Sequence, residues 1–273
     1  MKEKGMKRES MAFHPGFDLW PTKEPFGFEY GQGVFGPEPE IRRLDDIRAS
    51  LANPQSRGPE EIYAIVMDVG VEADREEIVR RNLLFGAVTY ASGLIGREPV
   101  RSQGHIHAVS ASCGSSTPEI YEIWDGEAVI YIQESASDNP GKCYAVYAHP
   151  GDVVIVPPGC VHAAVNAGIT KNMSFGAWCV RDYGFDYDGV RRHGGIAYFP
   201  YVENGKLAWR RNPAYKSSPC EGGELIIKNA RTWEDFSLEA DVPIYTQFQK
   251  DKDRFLFVSD PGRFPELWAE FTP

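Results

Sequence analysis

Short apolar runs cut by turn residues dominate the middle of the chain. EIYAIVMDV (61–69) and NLLFGAVTY (82–90) are dense in β-branched and aromatic residues, and the polar VEADREEIVRR between them reads as a helix or a long hairpin. EIYEIWDGEAVIYIQ reads as a hairpin turning on Asp125-Gly126, because a two-residue turn needs the positive φ that Asp-Gly tolerates. KCYAVYAHPGDVVIVPPGCVHAAVNAG holds three strand-like runs interrupted by HPGD and PPG, and MSFGAWCV adds another. IAYFPYVENGKLAWRR reads as a hairpin with Asn204-Gly205 at its tip. Strands this short, closely spaced and free of long helical patterns, predict a mainly β sandwich or barrel.

The two ends differ from this core. Residues 1–37 are rich in glycine, proline and aromatics without a period of 2 or 3.6, the pattern of an arm packed over a body. Ile41, Leu44, Ile47 and Leu51 recur every three or four positions in EIRRLDDIRASL and predict a short amphipathic helix. Beyond about residue 215, GELIIKN, VPIYTQF and RFLFVS look β-like, and PELWAEF suggests a last helix. The division expected is an arm over 1–37, a body over 38–212 and a C-terminal extension over 213–273 with no assigned role.

With 42% hydrophobic and 25% charged residues among 273, the composition is that of an ordinary soluble globular protein. A net charge of -10 argues against a nucleic-acid partner. No apolar run approaches the ~18 residues of a membrane span, and MKEKGMKRESMAF lacks the apolar stretch of a signal peptide, so no membrane partner and a cytoplasmic location are expected. The cysteines at 113, 143, 160, 179 and 220 are odd in number and widely spaced, with no CxxC pair; they read as reduced.

The candidate chemistry lies in GHIH. Strand side chains alternate faces, so His105 and His107 project the same way. The same alternation puts Glu119, Tyr121 and Ile123 of EIYEIW on one face and Glu122 on the other, making Glu119 the inward carboxylate and Glu122 the alternative. His162 follows the Pro157-Pro158-Gly159 turn on a strand returning to the same region. Three imidazoles and a carboxylate suit one divalent iron, zinc, manganese, nickel or copper ion better than calcium or magnesium.

Gly151, Pro157, Gly159, His162 and Asn166 have the spacing of the second cupin motif, and six residues separate Glu119 from Gly126 as in the first. Where many cupins have three or four residues between the second histidine and the glutamate, this chain has eleven, AVSASCGSSTP. The chain resembles the cupin superfamily, which implies a double-stranded β-helix, or jelly-roll, barrel. Over about residues 38–212 it is similar to the cupin-type glucose-6-phosphate isomerases, through EIRRLDDIR, LLFGAVTYASGLIG, QGHIHAV, PEIYEIWDGEA, HPGDVVIVPPGCVHAAVN and FDYDGV in that order.

That resemblance implies a metal-dependent aldose-ketose isomerase acting on a sugar phosphate in glycolysis and gluconeogenesis, working as a homodimer. It implies Glu119 as the base and Tyr121 beside the sugar; a carboxylate bound to a metal is a weakened base, so Glu119 must keep one oxygen free or leave the ion during turnover, and a metal-assisted hydride shift is the other route. For the phosphate it implies Ser102, the backbone of Gly104, Thr89, and either Tyr183 or Tyr187. Phe185 departs from the family pattern, which has a histidine before the Asp-Tyr pair. The basic triplet Arg191, Arg192, His193 reads as a solvated face, and Cys160 as a packed thiol. A mononuclear metal dioxygenase and a non-catalytic sugar-binding cupin are the alternatives, since one barrel hosts several functions.

Overall fold

The structure is a computed structural model that describes residues 7–216 and 225–273. Cys220 lies outside the described residues; Cys113, Cys143, Cys160 and Cys179 are free thiols.

Two sheets face each other. The larger runs, from edge to edge, through the strands Val153–Val156, Glu119–Asp125, Met173–Val180, Leu83–Tyr90, Glu61–Met67 and Glu40–Arg43, all antiparallel. The smaller runs through Val161–Asn166, Ala128–Gln133, Cys143–Ala148 and Leu225–Asn229, of which the last pairs in parallel. Between them Tyr63, Val88, Tyr121, Ile123 and Phe175 of the larger sheet meet Ile130, Ile132, Val146 and Ala164 of the smaller. This is a cupin jelly roll, and burying alternate residues from both sheets is what closes it.

One expected hairpin is not a hairpin. Glu119–Asp125 and Ala128–Gln133 belong to different sheets and pair with different neighbours. Gly126 has φ +78°, but the turn carries the chain across the barrel corner instead of folding it back. Local turn chemistry is the same for both outcomes. What decides is that Glu119–Asp125 pairs on both sides with Val153–Val156 and Met173–Val180, leaving no free edge for a hairpin partner. The hairpin Tyr198–Glu203/Lys206–Arg211 does form, with Asn204 and Gly205 both at positive φ.

The amphipathic helix expected from Ile41 to Leu51 is also shortened. Glu40–Arg43 is an edge strand on Glu61–Met67, followed by one helical turn, Leu44–Ile47, and a 3-10 turn, Arg48–Ser50. VEADREEIVRR forms a 3-10 turn and the helix Arg75–Arg80. VPIYTQF and RFLFVS, expected as β-like, are the helices Ile244–Lys250 and Leu256–Ser259. Their apolar runs are too short for periodicity to separate strand from buried helix.

These helices build a second core on the outer face of the larger sheet. Phe85, Ile120, Trp124 and Trp178 of the sheet pack with Phe17, Leu19 and Phe28 of the arm and with Trp233, Tyr245, Phe248 and Phe255 of the extension. Trp178 stacks on Tyr245 and on Phe255, each at 5.6 Å. Glu122, on this outer face, is therefore fully buried, its Oε1 accepting the Ile244 N–H at 2.6 Å and its Oε2 the Trp124 indole N–H at 2.9 Å.

Burial pushes the Glu122 carboxyl up to about 8, against the opposing pull of those two donors. A folded-state pKa above the unfolded one of 4.5 stabilises fully below pH 4.5, and the contribution is lost as pH rises through about 8. Glu122→Gln cannot ionise, so its melting temperature is expected to fall less than the parent's across that window. Parallel melting curves of the two proteins would count against this assignment.

Candidate metal centre

The site is assembled by backbone pairing. His105 and His162 form an isolated antiparallel bridge, each N–H donating to the other's carbonyl at 3.1 and 2.9 Å, which sends both imidazoles to the same side with centroids 4.3 Å apart. Gly104 precedes with φ +91°, and a Cβ there would stand 2.7 Å from Ile196 Cγ2, so only glycine lets the chain enter this bridge. His107 follows on the short strand Ile106–His107, paired with Phe185–Asp186. Glu119 begins its strand across the barrel.

The eleven-residue insertion is held, not loose. Asp182 accepts the Ser110 hydroxyl at 2.9 Å, the Ser112 N–H at 2.9 Å and the Asn82 side-chain amide at 3.0 Å. The insertion's far end returns Thr117, whose carbonyl takes the His107 Nδ1 proton at 2.9 Å. Glu119 is thereby fixed despite the length of the loop.

The ligand atoms of His105, His107, Glu119 and His162 lie within 4.8 Å of one another. His107 and His162 both spend their Nδ1 protons on backbone carbonyls, Thr117 O and Cys160 O. Their neutral rings then turn bare Nε2 atoms toward Glu119 Oε2, at 3.2 and 3.1 Å. Lone pairs facing a carboxylate repel unless a cation lies among them. Burial, and after it the neighbouring imidazoles, holds His105 well below the usual histidine range, and burial lowers His162, so protonating either of these two rings is the costly remedy. The buried Nε2 atoms of His105 and His107 have no hydrogen-bond partner. The donor set fits a divalent transition metal.

Tyr121 donates its hydroxyl to Glu119 Oε2 at 2.7 Å. Both line a cavity together with Ser102, His105, His162 and Tyr187. Ser102 Oγ accepts the Ala164 N–H at 3.1 Å. Gly104 is not among the residues lining the cavity. Thr89 is a correction: it is fully buried on the face of Leu83–Tyr90 opposite to Val88 and Tyr90, which are the residues that line the cavity, so alternation turns its hydroxyl away. Tyr183 also lies outside the lining, exposed and packed on Phe185 at 5.1 Å, while Tyr187 stands 5.7 Å from the His105 ring. Phe185 places an apolar ring 4.4 Å from His105.

His193 is not on a solvated face. It is buried, stacked on Tyr215 at 4.1 Å and bonded to Gly189 O and Asp138. Burial pushes the Cys160 thiol up to about 12, consistent with a packed, unreactive group. The sequence reading passed over Arg42, Tyr63, Tyr90 and Gln103, all of which line the cavity. The signal was the alternation of Glu61–Met67 and Leu83–Tyr90, in which Tyr63 and Tyr90 share the inward phase of Ile65 and Val88.

A jelly-roll barrel with three histidines and a glutamate converging on one cavity defines a cupin with a candidate metal site. The family model described as glucose-6-phosphate isomerase (GPI) matches residues 42–218, and this chain belongs to that family. Glucose-6-phosphate isomerase of Thermococcus litoralis is 26% identical over 200 residues, covering 71% of this chain and 98% of the relative. That of Pyrococcus furiosus is 28% identical over 200 residues, with the same coverage of 71% and 98%. A putative glucose-6-phosphate isomerase 1 of Rhizobium meliloti is 27% identical over 137 residues, 50% of this chain and 59% of its own.

Proposed function

We propose that this protein is a metal-dependent aldose-ketose isomerase interconverting glucose 6-phosphate and fructose 6-phosphate, with His105, His107, Glu119 and His162 holding one divalent ion. The observation that carries the reading is the Glu119 carboxylate, set among unprotonated imidazole nitrogens inside the cavity of a family member. A bound metal would act as a Lewis acid, polarising the sugar carbonyl. The chain's own residues do the rest.

The Tyr121 hydroxyl and the two imidazole contacts of Glu119 all fall on Oε2. Oε1 is left to take the proton from one of the two adjacent sugar carbons and return it to the other. Tyr121 fixes the carboxylate's rotation, so that this oxygen keeps its aim. Ser102 and Tyr187 offer hydroxyls to the substrate's polar groups. The dioxygenase alternative asked for an apolar cavity without phosphate donors; this cavity is largely apolar, and it is the presence of Arg42, Ser102 and Tyr187 in the lining that favours the isomerase.

The test is a coupled assay for fructose 6-phosphate conversion before chelation, after it, and after return of single metals. Activity is expected to vanish with chelation and to return with one or more of iron, manganese, nickel or zinc. Full activity in metal-free protein would sink the metal-dependent reading. The same reading extends to a homodimer in the cytoplasm; light scattering is expected to give a particle of two chains, and a monomer would remove that part.

A further inference from the structure

A phosphate monoester carries about -1.5 to -2 charges at neutral pH, and the chain itself is at -10. Hydroxyls alone are a poor exchange for the water such an anion gives up on entering a cavity. Arg42 is the one lysine or arginine among the residues lining the cavity.

Its place is built from the sheet. The edge strand Glu40–Arg43 sets Arg42 opposite Tyr63, and Tyr63 packs on Tyr90 at 4.9 Å. The guanidinium hydrogen-bonds to Tyr63 and lies within electrostatic reach of Tyr187, and Tyr187 in turn stands 5.7 Å from the His105 ring. Arg42 thus shares one cavity with His105, Glu119 and His162 of the candidate metal centre. Its ion pair is with Glu40 at 3.0 Å; Glu40 is 62% exposed, so water competes for it and the pair is weak. A guanidinium has five N–H donors in a planar fork, so the contacts with Glu40 and Tyr63 leave donors for an anion.

We propose that Arg42 is the cation that binds the substrate's phosphate and sets the preference for phosphorylated over neutral sugars. The inference rests on the isomerase reading for the identity of the substrate, and on Arg42 alone for the anion site.

The experiment compares the metal-loaded full chain with Arg42→Gln and Arg42→Lys in two measurements. Calorimetric titration with inorganic phosphate reads the anion site without turnover, and steady-state isomerisation of glucose 6-phosphate reads its use. Arg42→Gln is expected to weaken phosphate binding and raise KM by about 10- to 100-fold, the span of one charge-assisted contact. Metal content and melting temperature should hold and kcat should stay near the parent's. Arg42→Lys should recover part of the affinity, as a point charge without the fork. Unchanged phosphate affinity and KM in Arg42→Gln overturns the proposal, and parental turnover in the same assay leaves the isomerase reading standing. Phosphate binding that depends on Arg42 in a protein that does not isomerise the sugar keeps the anion site and removes the isomerase reading.

Discussion

His162→Ala is expected to abolish stoichiometric binding of the divalent ion and to lower kcat/KM by about 1,000-fold or more, since losing a Lewis acid costs several kcal/mol of barrier. His162 is the most connected member of the site. Its ring stands 4.3 Å from His105 and 5.0 Å from His107, and its Nε2 lies 3.1 Å from Glu119. Removing it leaves two imidazoles and a carboxylate on only one side of the space they enclosed. The fold should survive, because the strand Val161–Asn166 is held by backbone pairing along the whole of Ala128–Gln133 and by the His105 bridge, none of which needs the imidazole. Elemental analysis and far-ultraviolet circular dichroism check the two halves. Retained stoichiometric metal in the variant would show that the centre lies elsewhere.

The second large effect is on stability. Arg101 and Glu98 are buried at 0% and 2% side-chain exposure, and their bond is 2.7 Å. Arg101 also donates to Ser50 O at 2.6 Å and Ser102 O at 2.9 Å, and Glu98 Oε1 accepts the Ala52 N–H at 2.9 Å. Arg101→Ala strands an uncompensated carboxylate in the interior, which costs about 3–5 kcal/mol. In a chain of this size that corresponds to a melting temperature lower by roughly 10 °C. The double replacement Glu98→Met/Arg101→Met should not restore the parent's stability, because the Ser50 and Ser102 carbonyls and the Ala52 N–H would all lose partners. A melting temperature of Arg101→Ala within a few degrees of the parent's would refute this. The pair anchors the segment leading to Ser102, Gln103 and His105, so the variant should also lose metal affinity.

The residues that carry the site were readable to the extent that they obey alternation. His105, His107, Glu119 and His162 could be placed from period-2 logic and motif spacing, because each lies on or beside a strand whose phase is visible in its apolar neighbours. Thr89 was misplaced for the converse reason: its hydroxyl attracted a role, while the phase of Val88 and Tyr90 already assigned it to the opposite face. Arg42 escaped because an edge strand was taken for the first turn of a helix, and a basic residue on a helix surface carries no message. The corner at Asp125-Gly126 could not be distinguished from a hairpin locally, since which sheet a strand joins depends on partners thirty or more residues away. Arg101 has no signal at all in sequence; nothing in VRSQGH says that its guanidinium has three carbonyl and carboxylate partners in the interior.

The aromatic layer behind the larger sheet has a practical consequence. The segment matching the family, 42–218, ends before Trp233, Tyr245, Phe248 and Phe255. A chain trimmed to that segment would present Phe85, Trp124 and Trp178 as a bare wall, and Glu122 as an acid with one of its two donors gone. Such a wall is adhesive, and the shortened protein would self-associate through it before the residues of the candidate metal centre were disturbed. For this chain the extension is the barrel's waterproofing, and the smallest unit that can be worked with in solution is larger than the segment that matches the family.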